Sequence, residues 1–339
     1  MLQKTLLAVL TLLLAGLISA CQATTTGAPA DENEPAEPRE VTLMLDWVPN
    51  TNHTGLFVAQ EKGYYDEAGL QVNIIQPGEA GVEQAVAANS AQFGISYQEG
   101  VTVARAEGVP IVSVAAVIQH NTSGFASRAE AGITRPQEFE GKQYGSFGSP
   151  IERPMLDLLM SCDGGNAEQV EFVDVGYADF FAITERGVDF AWIFYGWDGI
   201  NAELKGIDLN IVMLSDWTDC VPDYYTPVVI TNESLIADQP ELVQAFMSAT
   251  ARGYEFAAAN PDEAADILLK AAPESDPELI KASQRWLSPQ YQADAAQWGV
   301  QDEQVWQRYA DWLAEQDVLE ETIDAQAAFT NEFLPARDN

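Results

Sequence analysis

Short apolar runs alternate with segments of helical spacing over the first two thirds of the chain. The apolar runs predict strands, and the segments between them, whose apolar residues recur three and four positions apart, predict helices. From residue 239 onward the pattern is almost wholly helical. This order predicts an α/β protein with mainly parallel sheets and a helical C-terminal segment. The predicted strands are 41–45, 70–75, 93–96, 111–118, 144–147, 170–173, 190–194 and 228–231.

The charge balance of the chain is strongly acidic. Lys and Arg together number 16 against 52 Asp and Glu, which gives a formal net charge of −36. Such a charge repels the phosphate backbone of nucleic acids and the surface of anionic lipids, so neither is an expected partner of the folded domain. With 339 residues, 47% of them hydrophobic, the chain can bury the core of one large or two medium domains.

The N-terminal segment has the pattern of a secretory signal. Lys4 precedes an apolar run too short to span a membrane, and small residues follow it up to Cys21. A signal that ends on cysteine resembles that of a bacterial lipoprotein, which implies a lipid on Cys21 and a protein anchored to the cell membrane on its extracellular side. We expect a lipoprotein signal peptide over 1–20 and a flexible tether over 21–40. An ordinary signal peptide cut near Ala20 is the alternative.

Few residues of the chain suggest catalytic or metal chemistry. Cys162 and Cys220 follow Cys21, and the sequence leaves open whether they form a disulfide or stand alone in the core. No CxxC pair occurs, and the chain has 2 histidines, so no metal site is expected. Hydrolase, zinc-protease and nucleotide-binding motifs are missing as well. We therefore expect a protein that is not an enzyme and holds no cofactor.

Aromatic and neutral polar side chains follow the predicted strands. In open α/β sheets, ligands bind beyond the carboxyl ends of the strands, in the loops that lead into helices. Rings stack on such side chains while amides and hydroxyls read a polar edge, which suits a flat, uncharged heteroaromatic ligand. The loops carry Asp46, Trp47, Asn50, Asn52, His53, Ser96, Tyr97, Gln119, His120, Asn121, Ser123, Phe147, Ser149, Trp192, Tyr195, Trp197, Tyr224 and Tyr225.

Six segments carry a resemblance to a known family. They are LDWVPNTNHTGLFVAQEKGYYDEAGL, AQFGISYQE, VIQHNTSGFAS, GKQYGSFGSPIE, WIFYGWDGI and DYYTPVVITNE. The chain resembles the NMT1/thiamine-pyrimidine-precursor family of periplasmic-type substrate-binding proteins from about residue 41 to its end. The resemblance implies a receptor of an ABC importer, bound to a permease, with the two-lobed type II fold. Lobe one would hold 41–124 plus 226–339, and lobe two 125–225.

The resemblance narrows the ligand without identifying it. Similar members bind formylaminopyrimidine, hydroxymethylpyrimidine or riboflavin, and we favour riboflavin because the loops offer many rings and neutral hydrogen-bonding groups. A receptor for the thiamine pyrimidine precursor is the first alternative, and a secreted enzyme that processes a heterocycle is the second. A sulfonate or nitrate receptor on the same fold would depend on Arg105 or Arg153. The cysteine-rich signature of eukaryotic pyrimidine-forming relatives is missing here.

Each candidate side chain receives a role in this hypothesis. Trp47 and one of Trp192, Tyr195 or Trp197 stack on the ring. The polar edge of the ring forms hydrogen bonds with Asn50, His53, Gln119 and Asn121. The polar tail of the ligand is contacted, or the cleft is closed, by Ser96, Tyr97, Ser149 and Glu152. Tyr225 lies near the hinge. Alternatively, His53 makes a hydrogen bond that organises its loop, and Asp46 caps a helix. Four tryptophans at helical spacing are assigned to the core: Trp286, Trp298, Trp306 and Trp312.

Overall fold

The computed structural model describes residues 37–78, 81–176, 178–320 and 322–336. Within these ranges no helix has the length and apolar character needed to cross a membrane. The predicted signal peptide, Cys21 and most of the predicted tether lie outside the described residues. The first strand begins at Arg39, two positions before the predicted one, because Arg39 already pairs with Leu70 of the neighbouring strand.

Ten strands in the described part of the chain form two five-stranded sheets. They are β1 (Arg39–Met44), β2 (Leu70–Ile75), β3 (Phe93–Ser96), β4 (Ile111–Ala116), β5 (Ser123–Arg128), β6 (Gln143–Ser146), β7 (Glu171–Asp174), β8 (Phe190–Phe194), β9 (Leu209–Met213) and β10 (Val228–Asn232). The first sheet has the order β2-β1-β3-β10-β4 and the second has the order β7-β6-β8-β5-β9. In the first sheet β10 is antiparallel to both neighbours, and β5 is antiparallel to both neighbours in the second. The predicted α/β class is confirmed, and both sheets are mixed.

Thirteen α-helices of the described residues flank these sheets or follow them. They are α1 (Thr54–Glu61), α2 (Tyr64–Glu67), α3 (Val82–Ala87), α4 (Gln98–Ala106), α5 (Glu152–Cys162), α6 (Phe180–Thr184), α7 (Ile200–Lys205), α8 (Glu233–Asp238), α9 (Pro240–Ala259), α10 (Pro261–Ala271), α11 (Pro277–Leu287), α12 (Glu303–Glu315) and α13 (Ala325–Ala328). One turn of π-helix spans Tyr195–Gly199. The chain crosses from the first sheet to the second between β4 and β5, and it returns between β9 and β10.

Helices α1 and α9 approach each other closely, and two glycines make this possible. A Cβ on Gly253 would lie 2.0 Å from the carbonyl oxygen of Gly55, and one on Gly55 would lie 2.2 Å from the ring of Tyr254. Larger residues would therefore push the helices apart. This close packing holds the start of α1, and the loop before it, against the body of the first sheet.

Helix α12 packs on the cores of both sheets, although the predicted boundaries place it in lobe one. Trp306 belongs to a buried cluster with residues of β4 and β10, whereas Tyr309, Trp312 and Leu313 belong to the cluster under the second sheet. The indole of Trp312 also donates to the carbonyl of Cys220, at 2.9 Å. The chain that follows β10 therefore supports both sheets.

The structure decides the predictions about the two cysteines and the four core tryptophans. Cys162 and Cys220 form a disulfide, with their Cα atoms 6.1 Å apart. Trp298, Trp306 and Trp312 are buried, as predicted. Trp286 is only partly buried, and its ring packs against Tyr195 of the π-helical turn, with the ring centroids 5.0 Å apart.

Candidate functional site

A cavity of about 1040 Å³ lies between the two sheets. The first sheet contributes the loops that follow β1 and β2 together with one face of α4, and the second contributes the segments that follow β6, β7 and β8. These are mostly carboxyl ends of strands, which is where ligands bind in open α/β sheets. Aromatic rings come from both sides: Trp47, Tyr97, Phe147, Phe180, Trp192, Phe194 and Trp197.

The loop after β1 is shaped by a reciprocal helix cap. The side-chain oxygen of Asn50 accepts from the amide of Asn52 at 2.9 Å, and the amide of Asn50 donates to Nδ1 of His53 at 3.2 Å. These two bonds begin the helical turn that leads into α1 and hold Trp47 in the cavity wall. The cap is therefore Asn50, and the prediction of Asp46 as a cap is wrong.

Asp46 instead accepts two hydrogen bonds beneath the cavity floor. Nε2 of His53 lies 2.5 Å from Oδ1, and the hydroxyl of Tyr97 donates to Oδ2 at 2.5 Å. Because Nδ1 of His53 accepts from a backbone amide, the ring proton sits on Nε2 and points at Asp46. Burial opposes ionisation of Asp46, but the His53 ring and the two hydrogen bonds outweigh it and hold the pKa of Asp46 below its ordinary value.

His53 is fully buried, and both its ring nitrogens are engaged. The interpretation of His53 as the organiser of its loop is therefore confirmed. His53 is connected to the cavity through Asp46 and Asn50, both of which line it.

The opposite wall is built on β8 and the loop after β6. The indole N–H of Trp192 donates to Oγ of Ser123 at 2.9 Å, which fixes the ring beside Phe147, with the ring centroids 6.2 Å apart. Phe194 ends β8 and stacks on Tyr97 of the first wall, with centroids 6.3 Å apart and planes 21° from parallel. Ring contacts therefore extend from one sheet to the other across the cavity.

The loop between β6 and α5 uses all its amide hydrogens internally. The buried carboxylate of Glu152 accepts from the amides of Phe147 at 3.1 Å and Ser149 at 2.6 Å. The amide of Gly148 donates to Oγ of Ser146, that of Ile151 to Oγ of Ser149, and that of Glu152 to the Ser149 carbonyl. The loop borders the cavity, so Glu152 occupies the place that an anionic ligand would otherwise take.

The π-helical turn after β8 joins the second sheet to α11. The hydroxyl of Ser283 donates to the carbonyl of Gly196 and lies 2.6 Å from the hydroxyl of Thr51. Trp197 of this turn lines the cavity, as does Asp198. Burial, together with the nearby charge of Asp179, raises the pKa of Asp198 to about 7.

Among the described residues that line the cavity, the ionisable side chains apart from Tyr97 all carry carboxyl groups. No Lys, Arg or His is among the described residues that line the cavity. On the side of α4, Ser96 donates to Glu83 at 2.5 Å. Burial, and to a lesser extent the charge of Glu83, raises the pKa of Glu99 to about 8. The carboxylic residues are Asp46, Glu83, Glu99, Glu107, Asp179 and Asp198.

The structure brings six of the thirteen candidate residues to the cavity wall: Trp47, Asn50, Tyr97, Ser149, Trp192 and Trp197. Three are buried behind the wall and hold residues that line it: His53, Ser96 and Glu152. Gln119, Asn121 and Tyr225 lie in the crossovers, where they bond to Val300, Ser123 and Asp302 respectively. Tyr195 points away, donating to Glu203 at 2.5 Å. Direct ligand contact by any of the thirteen stays a prediction.

Among the cavity-lining residues that the candidate set omitted, Phe194, Glu83 and Glu99 supply a ring and two carboxyl groups. Phe194 is the last residue of a predicted strand, so its position at the sheet edge was a usable signal. Glu83 and Glu99 lie in the first turns of α3 and α4. Acidic residues are common in the first turns of solvated helices. The sequence pattern by itself therefore does not distinguish Glu83 and Glu99 from ordinary solvated residues.

Comparisons with known proteins agree with this geometry. The family model "NMT1/THI5 like" matches residues 50–264. The chain is 33% identical over 334 residues to the formylaminopyrimidine-binding protein of Halalkalibacterium halodurans, covering 95% of this chain and 98% of that one. It is 29% identical over 337 residues to the riboflavin-binding protein RibY of Chloroflexus aurantiacus, covering 94% and 95%.

A solved structure with a similar fold is the alkanesulfonate-binding protein SsuA from Xanthomonas axonopodis pv. citri bound to MOPS. Its TM-score is 0.65 at 15% identity, over 87% of this chain and 100% of that one. At this level of identity the similarity concerns the fold alone. The predicted two-lobed fold of type II periplasmic binding proteins is thereby confirmed.

Proposed function

Because the chain belongs to the NMT1/THI5-like family, we propose that it is the substrate-binding protein of an ABC importer and captures an uncharged heteroaromatic ligand, riboflavin by preference. The observation that carries the proposal is the aromatic cavity between the sheets. Trp47 lines one wall, and Trp192 and Phe194 line the other, so a flat ring system can stack between them. We expect the ligand to be bound and released unchanged, and this is supported by the two relatives above, both named as binding proteins.

The charges of the wall support an uncharged ligand. Carboxyl groups repel sulfonate, nitrate or phosphate, and the loop amides that would bind such an anion already donate to Glu152. The two arginines that a sulfonate receptor would need are engaged elsewhere. Arg105 pairs with Glu233, and the guanidinium of Arg153 lies 3.9 Å from the ring centroid of Phe172. Phosphorylated forms of the same ligands are disfavoured for the same reason.

The size of the cavity favours the larger of the two ligand classes. Small-molecule pockets have volumes of about 300–1,000 Å³, and this cavity reaches about 1040 Å³. Three fused rings with a hydroxylated tail use more of this space, and more of the aromatic wall, than a single pyrimidine does. The relative RibY, named as a riboflavin-binding protein, supports the same preference.

Formylaminopyrimidine is the second candidate ligand. Two observations favour it: the relative from Halalkalibacterium halodurans bears that name at 33% identity, and Asp46 lines the cavity as an ionised carboxylate. A carboxylate accepts hydrogen bonds from an exocyclic amino group of the kind an aminopyrimidine carries. The two ligands are distinguished by titration.

The deciding experiment is a fluorescence titration of the purified protein with riboflavin. Tryptophan stacking quenches flavin emission, so we expect saturable quenching at one ligand per chain. Trp47→Ala should weaken binding at least tenfold, whereas Val48→Ala, which changes an exposed side chain in the same loop, should not. Absence of quenching, together with a thermal shift by formylaminopyrimidine, would assign the protein to the second ligand.

We also propose that Cys21 carries a lipid and holds the protein on the extracellular side of the cell membrane. The support is the signal-like sequence before Cys21. Cys21→Ser should release the protein into the medium of expressing cells. Retention of this variant at the membrane would contradict the proposal.

A further inference from the structure

Several buried polar atoms without a hydrogen-bond partner lie near Glu99, whose side chain lines the cavity. Of the buried side-chain nitrogen and oxygen atoms in the described residues, seven have no partner. Four of these belong to Glu99, Asn121, Tyr224 and Tyr309, which lie near one another. We call these four residues the hinge cluster. Buried polar groups are almost always hydrogen-bonded, so a group of four indicates a missing partner of matching chemistry.

The four side chains come from four different parts of the chain. Glu99 lies on α4, Asn121 in the first crossover, Tyr224 in the second and Tyr309 on α12. The two tyrosine rings pack with centroids 4.5 Å apart, and both are shielded from solvent, with 1% and 0% of their surface exposed. The Asn121 amide lies beside the Tyr224 hydroxyl without a hydrogen bond in good geometry.

Glu99 connects the hinge cluster to the cavity. Its side chain lines the cavity, while its carboxyl is close enough to the hydroxyls of Tyr224 and Tyr309 to affect both. Burial, and then the charge of Glu99, raises the pKa of each tyrosine well above its ordinary value. With its own pKa raised to about 8, Glu99 is protonated at neutral pH and can donate a hydrogen bond as well as accept one.

We propose that Glu99, supported from behind by the other three residues of the hinge cluster, is the subsite for the hydroxyl-bearing tail of the ligand. A hydroxyl both donates and accepts, and the carboxyl of Glu99 can pair with it at the cavity wall, while Asn121, Tyr224 and Tyr309 hold this carboxyl without lining the cavity themselves. No cationic side chain lines the cavity among the described residues, so a phosphate at the end of the tail would find no partner. The inference rests on the proposed function, since it divides the cavity into an aromatic ring end and a polar tail end.

The test compares riboflavin with lumiflavin, in which a methyl group replaces the hydroxylated chain on the same ring system. We expect the protein to bind riboflavin at least tenfold more tightly than lumiflavin. In Glu99→Gln and in Tyr309→Phe this ratio should fall towards one, with lumiflavin affinity unchanged. Tyr65→Phe is the matched control, because it also removes a buried tyrosine hydroxyl, which bonds to Thr250 and does not line the cavity, and it should keep the ratio.

Two outcomes would overturn the subsite while leaving the proposed function intact. One is equal affinity for the two flavins in the unmodified protein. The other is a ratio that neither Glu99→Gln nor Tyr309→Phe changes, although both variants unfold cooperatively like the parent. In either case the hinge cluster is served by water alone, and the loss of both flavins in Trp47→Ala still supports the ring end.

A different outcome separates failure of the ligand assignment from failure of the subsite. If neither flavin binds, riboflavin is wrong, and the same variants are titrated with hydroxymethylpyrimidine and with its counterpart bearing a methyl group at that position. A preference for the hydroxylated pyrimidine that disappears in Tyr309→Phe supports the subsite. Equal affinity for the two pyrimidines overturns it.

Discussion

The two ends of the cavity differ in how their polar groups are satisfied. At the ring end, Asp46 accepts from His53 and Tyr97, and both nitrogens of His53 are engaged. At the hinge end, Oε2 of Glu99 and the hydroxyl of Tyr309 are buried without a hydrogen-bond partner. One acid consequently has a lowered pKa and the other a raised one, although both line the same cavity.

The difference indicates where the ligand must supply chemistry of its own. A polar network that is complete before binding holds its side chains in place and presents a finished surface to a ring. A network with unpaired groups gains most from a partner that brings both donors and acceptors. The ring end therefore selects its ligand mainly by shape and stacking, and the hinge end selects it by the hydroxyl groups of the tail.

Removing Asp46 should have the largest effect, because it breaks the complete network. Asp46→Ala removes the acceptor of the buried His53 N–H and one acceptor of the Tyr97 hydroxyl. We expect the free energy of unfolding to fall by about 3 kcal/mol and lumiflavin binding to be lost, as measured by urea unfolding and titration. Glu99→Gln should change the stability far less. An equal fall in the free energy of unfolding in Asp46→Ala and Glu99→Gln would contradict the distinction between a complete network at the ring end and an incomplete one at the hinge end.

Removal of the disulfide should cost stability while sparing both ends. In the double variant Cys162→Ser, Cys220→Ser the unfolded chain loses a cross-link, which lowers the free energy of unfolding by about 3 kcal/mol. Neither cysteine lines the cavity, so affinity for each flavin should stay within twofold. Urea unfolding and titration of the same preparation check this. A selective loss of riboflavin affinity would show that the bridge supports the hinge cluster.

A smaller effect on stability is expected from a change in the loop before α5. This change tests whether Glu152 prevents anions from binding at the cavity. Glu152→Ala frees the amides of Phe147 and Ser149, so sulfate should raise the thermal unfolding temperature of this variant but not of the parent. The control is Glu138→Ala, which removes an exposed acid that accepts from the amide of Thr134. Sulfate stabilisation of the parent would contradict the assigned role of Glu152.

The smallest effect is the dependence of stability on pH between about 5 and 8. The pKa values of Glu99, about 8, and Asp198, about 7, lie above those of an unfolded chain, so the native state keeps protons that the unfolded state releases. The free energy of unfolding should therefore fall as pH rises through this range. His120 acts in the same direction: although partial burial opposes it, Asp223 and Asp294 raise its pKa, and the stability it adds is lost above that pKa.

Urea unfolding at successive pH values measures this slope. Asp46 has a lowered pKa and contributes in the opposite sense, but only as pH falls below its ordinary value of 3.8. The variant Glu99→Gln, Asp198→Asn should flatten the slope, and the single variant Glu138→Gln, which removes an exposed acid whose pKa is lowered, should leave it unchanged. Stability that rises from pH 5 to pH 8 would contradict the raised pKa values of Glu99 and Asp198.

Much of the fold and half of the candidate wall residues follow from local sequence. The order of strands and helices is set by periodicity, and Trp47 and Trp192 were found because aromatic residues at strand ends face the same sheet edge. The capping role of Asn50 is likewise local, since its partners lie within three residues. The sequence by itself therefore determined the α/β class, the burial of three of the four tryptophans assigned to the core and the position of the aromatic loops.

Tertiary structure decided what these local signals do not contain. Asp46 is an ordinary loop acid until Tyr97, 51 positions along the chain, donates to it. Glu99 has the pattern of a solvated helix residue, and tertiary packing buries one of its carboxyl oxygens in the neighbourhood of Tyr309 of α12. Burial and hydrogen-bond partners depend on contacts between distant segments, and no local periodicity encodes which segments meet. The ring end was therefore visible in the sequence, and the hinge end emerged only from the packing of α12 on both sheets.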